Sequence, residues 1–197
     1  MSPSELRRAI GPWAWFTVTA GGLGHMWPAS GTWGSLPPVL LLAAMGWLRA
    51  PVWSHVLVQA LLATAASRGC IRHGDAVERA TGRKDPGVVV IDEVAGMALT
   101  LVLALTLVCA VDEVARARDG SNSFARALAP SFALAVGAVA FLWFRVMDVI
   151  KPPPARKLQS IPGGLGVLID DLAVAPYAAL ATVLTLLGVV WWLTPAS

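Results

Sequence analysis

The 197-residue chain is 56% hydrophobic and only 14% charged, with a formal net charge of +3. A soluble domain carries about 25% charged residues, so an ordinary soluble domain is excluded, as are a disordered tail, a coiled coil and a collagen-like chain. The two cysteines, Cys70 and Cys109, cannot build a disulfide framework, and the small net charge gives no footing for a nucleic-acid partner.

In chain order, residues 1–20 form an N-terminal segment. Its run Ile10–Ala20 follows Arg7 and Arg8 but is interrupted by Pro12, so a cleavable signal peptide is not expected. A glycine-rich polar block, Gly21–Ser35, comes next. The apolar stretch Trp33–Ala66 is broken by Arg49, Pro51 and His55 and reads as a hairpin of two short spans, Leu36–Leu48 and Val52–Ala66. A bent span or a re-entrant pair fits as well, since a full crossing takes about 17–25 apolar residues. Cys70 lacks the Arg six positions on that a cysteine-phosphatase loop needs, position 76 being Ala. The second polar block is Lys84–Glu93, followed by a charge-free run, Val94–Val111. Residues Asp112–Arg126 mix charge, Gly and Ser and read as a solvated loop. The run Ala127–Phe144 leads into the third block, which holds Arg145, Asp148, Lys151, Gly163–Gly166, Asp170 and Asp171. Leu172–Leu193 is the clearest span. The expectation is an all-α, polytopic membrane protein with about four to five transmembrane or re-entrant helices. It forms one domain over 1–197, with the motifs in 21–177.

With five spans and the N-terminus in the cytoplasm, 11 Lys and Arg fall on the cytoplasmic side and 4 on the other. The positive-inside rule favours that orientation. All three polar blocks then face the cytoplasm, and the bias persists at 8 against 4 when Lys84, Arg145 and Lys151 are left out of the count.

The blocks carry Asp85, Asp92, Glu93, Asp148, Asp170 and Asp171. Asp92 and Glu93 follow Val88–Ile91, and Asp170 and Asp171 follow Val167–Ile169. Ionised carboxylates beside hydrocarbon need partners. Lys84, Arg145 and Lys151 could supply them, or a metal could. If the fourth span stays helical, Arg145, Asp148 and Lys151, at i, i+3 and i+6, share a face of about 120°. Clustered carboxylates suit a hard cation such as Mg²⁺, while His25, His55 and His73 show no zinc spacing. Carboxylates, a few cations and glycine backbone together suit phosphoryl chemistry. Each block alone has a plain alternative: helix-start acids, an interfacial salt bridge, turn glycines, or Thr32 and Ser35 as helix caps. All three on one side favour a site.

These blocks resemble the phosphatidylglycerophosphatase A family. The resemblance rests on Gly31-Thr-Trp-Gly-Ser-Leu36, Lys84-Asp-Pro-Gly87 with Ile91-Asp-Glu93, Phe144-Arg-Val-Met-Asp-Val-Ile-Lys-Pro152, and Gly163-Gly-Leu-Gly166 with Ile169-Asp-Asp-Leu172. Ser30 stands where the family often has Pro, and Val174-Ala175 replaces a more usual Ala-Gly; neither removes a carboxylate. The resemblance implies a Mg²⁺-dependent phosphatase of the bacterial inner membrane that takes a phospholipid substrate, phosphatidylglycerophosphate, and releases phosphatidylglycerol and phosphate. It implies Asp85, Asp92, Glu93, Asp148, Asp170 and Asp171 as catalytic residues. The metal ligands would come from Asp85, Asp92, Glu93, Asp170 and Asp171. Lys84, Arg145, Lys151, Gly31, Thr32 and Ser35 would bind the phosphate. Asp148 would join the ligands or orient Lys151. Attack by water and attack by a carboxylate both remain open. A CDP-alcohol phosphotransferase fits less well, because Asp119-Gly120 and Ala125-Arg126 are too far apart and no Asp pair follows. A small ion-coupled transporter would place its charges near mid-span.

Overall fold

The computed structural model describes residues 1–119, 130–158 and 160–193, and these form helices and turns with no strand. In chain order the helices are α1 (Pro3–Ile10), α2 (Pro12–Val18), α3 (Ser30–Trp47), α4 (Val52–Thr81), α5 (Ile91–Asp119), α6 (Pro130–Ile150), α7 (Ala155–Leu158) and α8 (Gly163–Leu193). Helices α5, α6 and α8 are long and apolar enough to cross a membrane; α3 and α4 are not among them. The expected all-α membrane class is therefore found: three helices are long and apolar enough to span, where about four to five transmembrane or re-entrant helices were expected.

Successive long helices run in alternating directions. The start of α3, the end of α4, the start of α5, the end of α6 and the start of α8 consequently gather at one end of the bundle. Helix α5 sits centrally, packed against α3, α4, α6 and α8. Two apolar clusters fill the interior. One joins Leu42, Met97, Leu101, Leu105 and Phe144, and the other joins Leu6, Val18, Cys70, Val77, Val94 and Leu168. At the opposite end, Trp47, Trp53, Trp191 and Trp192 are exposed, as expected of aromatic side chains at a membrane interface.

Several boundaries differ from those expected, each for a local reason. Helix α4 continues to Thr81 because Ala66, Cys70, Gly74 and Val77 keep a buried stripe at helical spacing. It stops at Gly82, which takes the left-handed conformation at φ +63°. Helix α5 runs through Asp112 and Glu113 instead of ending there. Arg116 pairs with Asp112 at 2.7 Å and with Glu113 at 3.2 Å, the i+4 and i+3 contacts that support a helix. The rest of the expected loop, residues 120–126 including Arg126, and the first residues of the expected fourth span, 127–129, lie outside the described residues. Helix α8 begins at Gly163, nine residues before the expected span, so Asp170 and Asp171 lie within it rather than at its start.

The site end is knitted together by backbone contacts. Val90 N–H donates to the Val18 carbonyl at 2.9 Å. The Ser30 hydroxyl donates to the Gly87 carbonyl at 2.5 Å. Gly74 and Gly164 let α4 and α8 touch: a Cβ on Gly164 would stand 2.3 Å from the Cys70 carbonyl oxygen. Gly188, on the same helix, faces open space.

Gly164→Ala should therefore lower stability by about 1–3 kcal/mol through overpacking, while Gly188→Ala should not. Thermal unfolding of both variants in detergent micelles checks this. Equal stability of the two would contradict the close crossing.

Candidate active site

The first turn of α5 carries Asp92 and Glu93, where the helix N-terminus favours negative charge. Asp171 arrives from α8. One carboxylate oxygen from each of the three lies within 4.8 Å of the other two. Asp92 and Asp171 are buried and Glu93 is half-buried. Asp92 Oδ1, Glu93 Oε2 and Asp171 Oδ2 are buried without a hydrogen-bond partner. Three carboxylates this close, with orphaned oxygens turned from water, cannot all be ionised unless a cation joins them. The oxygen-only donor set fits a hard divalent cation.

Two ion pairs flank this cluster. Arg145 Nη1 lies 2.9 Å from Asp148 Oδ2 one turn along α6. Lys151 Nζ lies 2.5 Å from Asp170 Oδ2. Lys151 follows the last residue of α6. Its N–H closes the helix on the Met147 carbonyl at 2.7 Å, and its backbone turns into the left-handed region at φ +48°. That turn sends its side chain toward α8. Gly31, in the first turn of α3, lies against Glu93 and Arg145. A Cβ there would stand 2.4 Å from Glu93 Oε1 and 3.0 Å from Arg145 Nη1.

Asp85 completes the wall, in a turn with φ +47°. The residue presents surface to solvent, yet the atoms crowding its carboxyl, and then the charge of Asp170, raise its pKa above the usual carboxylate range. The cleft measures about 310 Å³ and is lined by all six carboxylates, Asp85, Asp92, Glu93, Asp148, Asp170 and Asp171, together with Lys151.

Of the expected metal ligands, the structure draws Asp92, Glu93 and Asp171 into one group. Asp170 is held by Lys151, and Asp85 stands at the wall. Asp148 pairs with Arg145, not with Lys151. Among the expected phosphate-binding residues, Lys151 lines the cleft. Lys84 does not: it is exposed on the turn, outside the cleft. Ser35 is buried and donates its hydroxyl to the Gly31 carbonyl at 2.8 Å, so that hydroxyl is already committed to the helix backbone. Thr32 is half-buried in the first turn of α3. The glycines of 163–166 do not form a phosphate cradle. The Gly163 and Gly164 N–H groups donate to Glu78 Oε2 at 3.2 Å and to Asp75 Oδ1 at 2.7 Å. A Cβ on Gly166 would overlap the Ile161 carbonyl.

Asp75 and Glu78 are the polar residues missed in the sequence. Their signal was two acids at i and i+3 in the last turns of a helix that ends at a glycine.

A family model described as phosphatidylglycerophosphatase A matches residues 16–186, most of the chain and every residue of the cleft. A curated relative from Bacteroides thetaiotaomicron, provisionally named a phosphatidylinositol-3-phosphatase, is 41% identical over 39 residues. That match covers 20% of this chain and 24% of the relative, so the chain spans about a quarter of that protein's length. No solved structure matches the chain.

The Lys151–Asp170 pair yields a stability prediction. Lys151→Met leaves the Asp170 carboxylate buried and unpaired and should destabilise the protein by about 3 kcal/mol. Adding Asp170→Asn should recover much of that loss. Thermal unfolding of the single and double variants measures the coupling, and simple additivity would show that the pair is not made.

Proposed function

The chain belongs to the phosphatidylglycerophosphatase A family of phosphoric monoester hydrolases, and on that premise we propose that it hydrolyses phosphatidylglycerophosphate to phosphatidylglycerol and phosphate. We place this reaction at the cytoplasmic surface of the inner membrane, in phospholipid synthesis, with Mg²⁺ as the metal. The observation that carries the reading is the trio of orphaned buried oxygens on Asp92, Glu93 and Asp171 in a cleft that also presents Lys151. The cleft's position supports it too. It lies at one end of the bundle, where a lipid anchored by its acyl chains presents its head group, and not at mid-span as an ion pathway would.

In this reading Asp92, Glu93 and Asp171 would hold the Mg²⁺, which would offset negative charge on the phosphate as it reacts. Lys151 sits beside Asp170 at the cleft wall and takes a phosphate oxygen when the substrate arrives. Arg145, braced by Asp148 and given room by Gly31, adds positive charge behind Glu93. Asp85 accepts a proton from the attacking water as its oxygen bonds to phosphorus. The bond from phosphorus to the terminal glycerol oxygen breaks, and that oxygen takes the proton held by Asp85, directly or through water, as the lipid alcohol leaves. Positioning and electrostatic stabilisation supply most of the acceleration in such transfers.

Purified full-length protein in mixed micelles should release phosphate from phosphatidylglycerophosphate with Mg²⁺, lose that activity to a chelator and regain it when Mg²⁺ is restored. Asp92→Asn and Asp171→Asn, correctly folded, should each lower kcat by about 100-fold or more. Glu113→Gln, an exposed position at the other end of the bundle, should leave it unchanged. Absence of phosphate release, or near-normal activity in both aspartate variants, would refute the proposal. A single turnover with substrate carrying ³²P in its terminal phosphate should release all the label as free phosphate, with none held on the protein, as direct attack by water requires. Labelled phosphate retained on the protein would instead identify a carboxylate nucleophile.

A further inference from the structure

The catalytic reading uses α5, α6 and α8 and leaves two acids of α4 without a role. Asp75 and Glu78 stand one turn apart in α4, facing the start of α8. Asp75 Oδ1 accepts from the Gly164 N–H at 2.7 Å. Glu78 divides its two oxygens: Oε2 accepts from the Gly163 N–H at 3.2 Å and Oε1 accepts from the Asp85 N–H at 3.4 Å. The first N–H groups of a helix have no partner within it, and here a neighbouring helix supplies the acceptors. Gly163 turns at φ +79°, and a Cβ on it would stand 2.4 Å from Asp75 Oδ1. The contact thus needs glycine both for the turn and for the approach.

The spacing gives this contact a consequence for the cleft. Gly163 and Asp170 are seven residues apart, as are Gly164 and Asp171. Seven residues are close to two helical turns, so each aspartate lies beneath its glycine on one face, about 10 Å down the axis. Fixing the first two N–H groups of α8 therefore fixes the rotation and height at which Asp171 meets Asp92 and Glu93. The same Glu78 carboxylate also fixes the turn carrying Asp85.

We propose that Asp75 and Glu78 are positioning residues. They clamp the start of α8 and the Asp85 turn to α4, and so set the distance between Asp171 and the acids of α5. The proposal rests on the metal reading above for its effect on the cleft, but the clamp itself can be tested without metal or substrate.

The experiment compares Asp75→Asn, Asp75→Ala, Glu78→Gln and Glu78→Ala in full-length protein in micelles. Hydrogen exchange is followed on peptides covering 160–172 in metal-free protein, and Mn²⁺ binding is followed by electron paramagnetic resonance. Asn and Gln keep an oxygen acceptor, so both should exchange and bind Mn²⁺ within about threefold of the unaltered chain. The alanine variants should exchange about tenfold faster at 163–164 and bind Mn²⁺ about tenfold more weakly, the scale of one lost helix-cap bond. Wild-type exchange and Mn²⁺ affinity in the alanine variants would overturn the proposal. So would Asn and Gln variants as impaired as their alanine counterparts, because the carboxylate charge and not the hydrogen bond would then matter. If the alanine variants do not yield folded protein, the Asn and Gln variants decide by the same criterion. Should the unaltered chain bind no Mn²⁺, the metal reading fails while the exchange comparison still judges the clamp.

Discussion

Six carboxylates line one cleft, and among the described residues two cationic side chains, Arg145 and Lys151, pair with members of the set. Four of the carboxylates are left without a cationic side chain beside them in the salt-bridge pattern. Three of the carboxylates, Asp92, Glu93 and Asp171, press together with buried oxygens that no hydrogen bond satisfies. Such an arrangement is unstable by itself and makes physical sense as a receptor for a hard cation and a phosphate. The need to hold these acids together explains much of the helix packing around them.

That packing depends on small residues at the crossings. Gly96 lies one turn below Asp92 on α5, and a Cβ there would stand 3.0 Å from the Asp171 Cβ and 2.8 Å from the Phe144 ring. Glycine at this point lets α5 approach α8 and α6 closely enough for the aspartates to face each other. Gly24 and Gly34 do the same for the segment leading into α5, where added Cβ atoms would meet Val88 and Val90. The polar end of the bundle is thus built by backbone contact, while Leu42, Met97, Leu101 and Phe144 fill the middle. Close packing of this kind holds an active-site geometry better than a loop would.

The sequence revealed the chemistry more readily than the supports. Asp92, Glu93, Asp170 and Asp171 stood out because each pair follows an apolar run, where charge needs a reason. Their shared side followed from alternating helix direction. The partition of labour among them was not legible. Lys84 and Lys151 look alike in sequence, and only the left-handed turn at Lys151 sends one of them into the cleft. Gly163–Gly166 has the composition of a phosphate loop, yet its N–H groups are taken by Asp75 and Glu78. Those two acids were hidden because residues 68–81 also carry Arg68, Arg72, His73 and Arg79, and a solvated helix face explains such a run equally well. Which acid turns inward depends on the crossing of α4 with α8, which no local pattern encodes. The extent of α5 is hidden for a related reason: Asp112 and Glu113 have the composition of a loop, and only their pairing with Arg116 carries the helix through them.

Anomalous diffraction from crystals of the full-length protein grown with Mn²⁺ would locate the cation relative to the three clustered carboxylates. A peak should stand about 2.0–2.3 Å from carboxylate oxygens of Asp92, Glu93 and Asp171 and be absent from Asp171→Asn crystals grown the same way. A peak held by other residues, or none at the trio while Mn²⁺ supports phosphate release in solution, would contradict a cation held by these three residues.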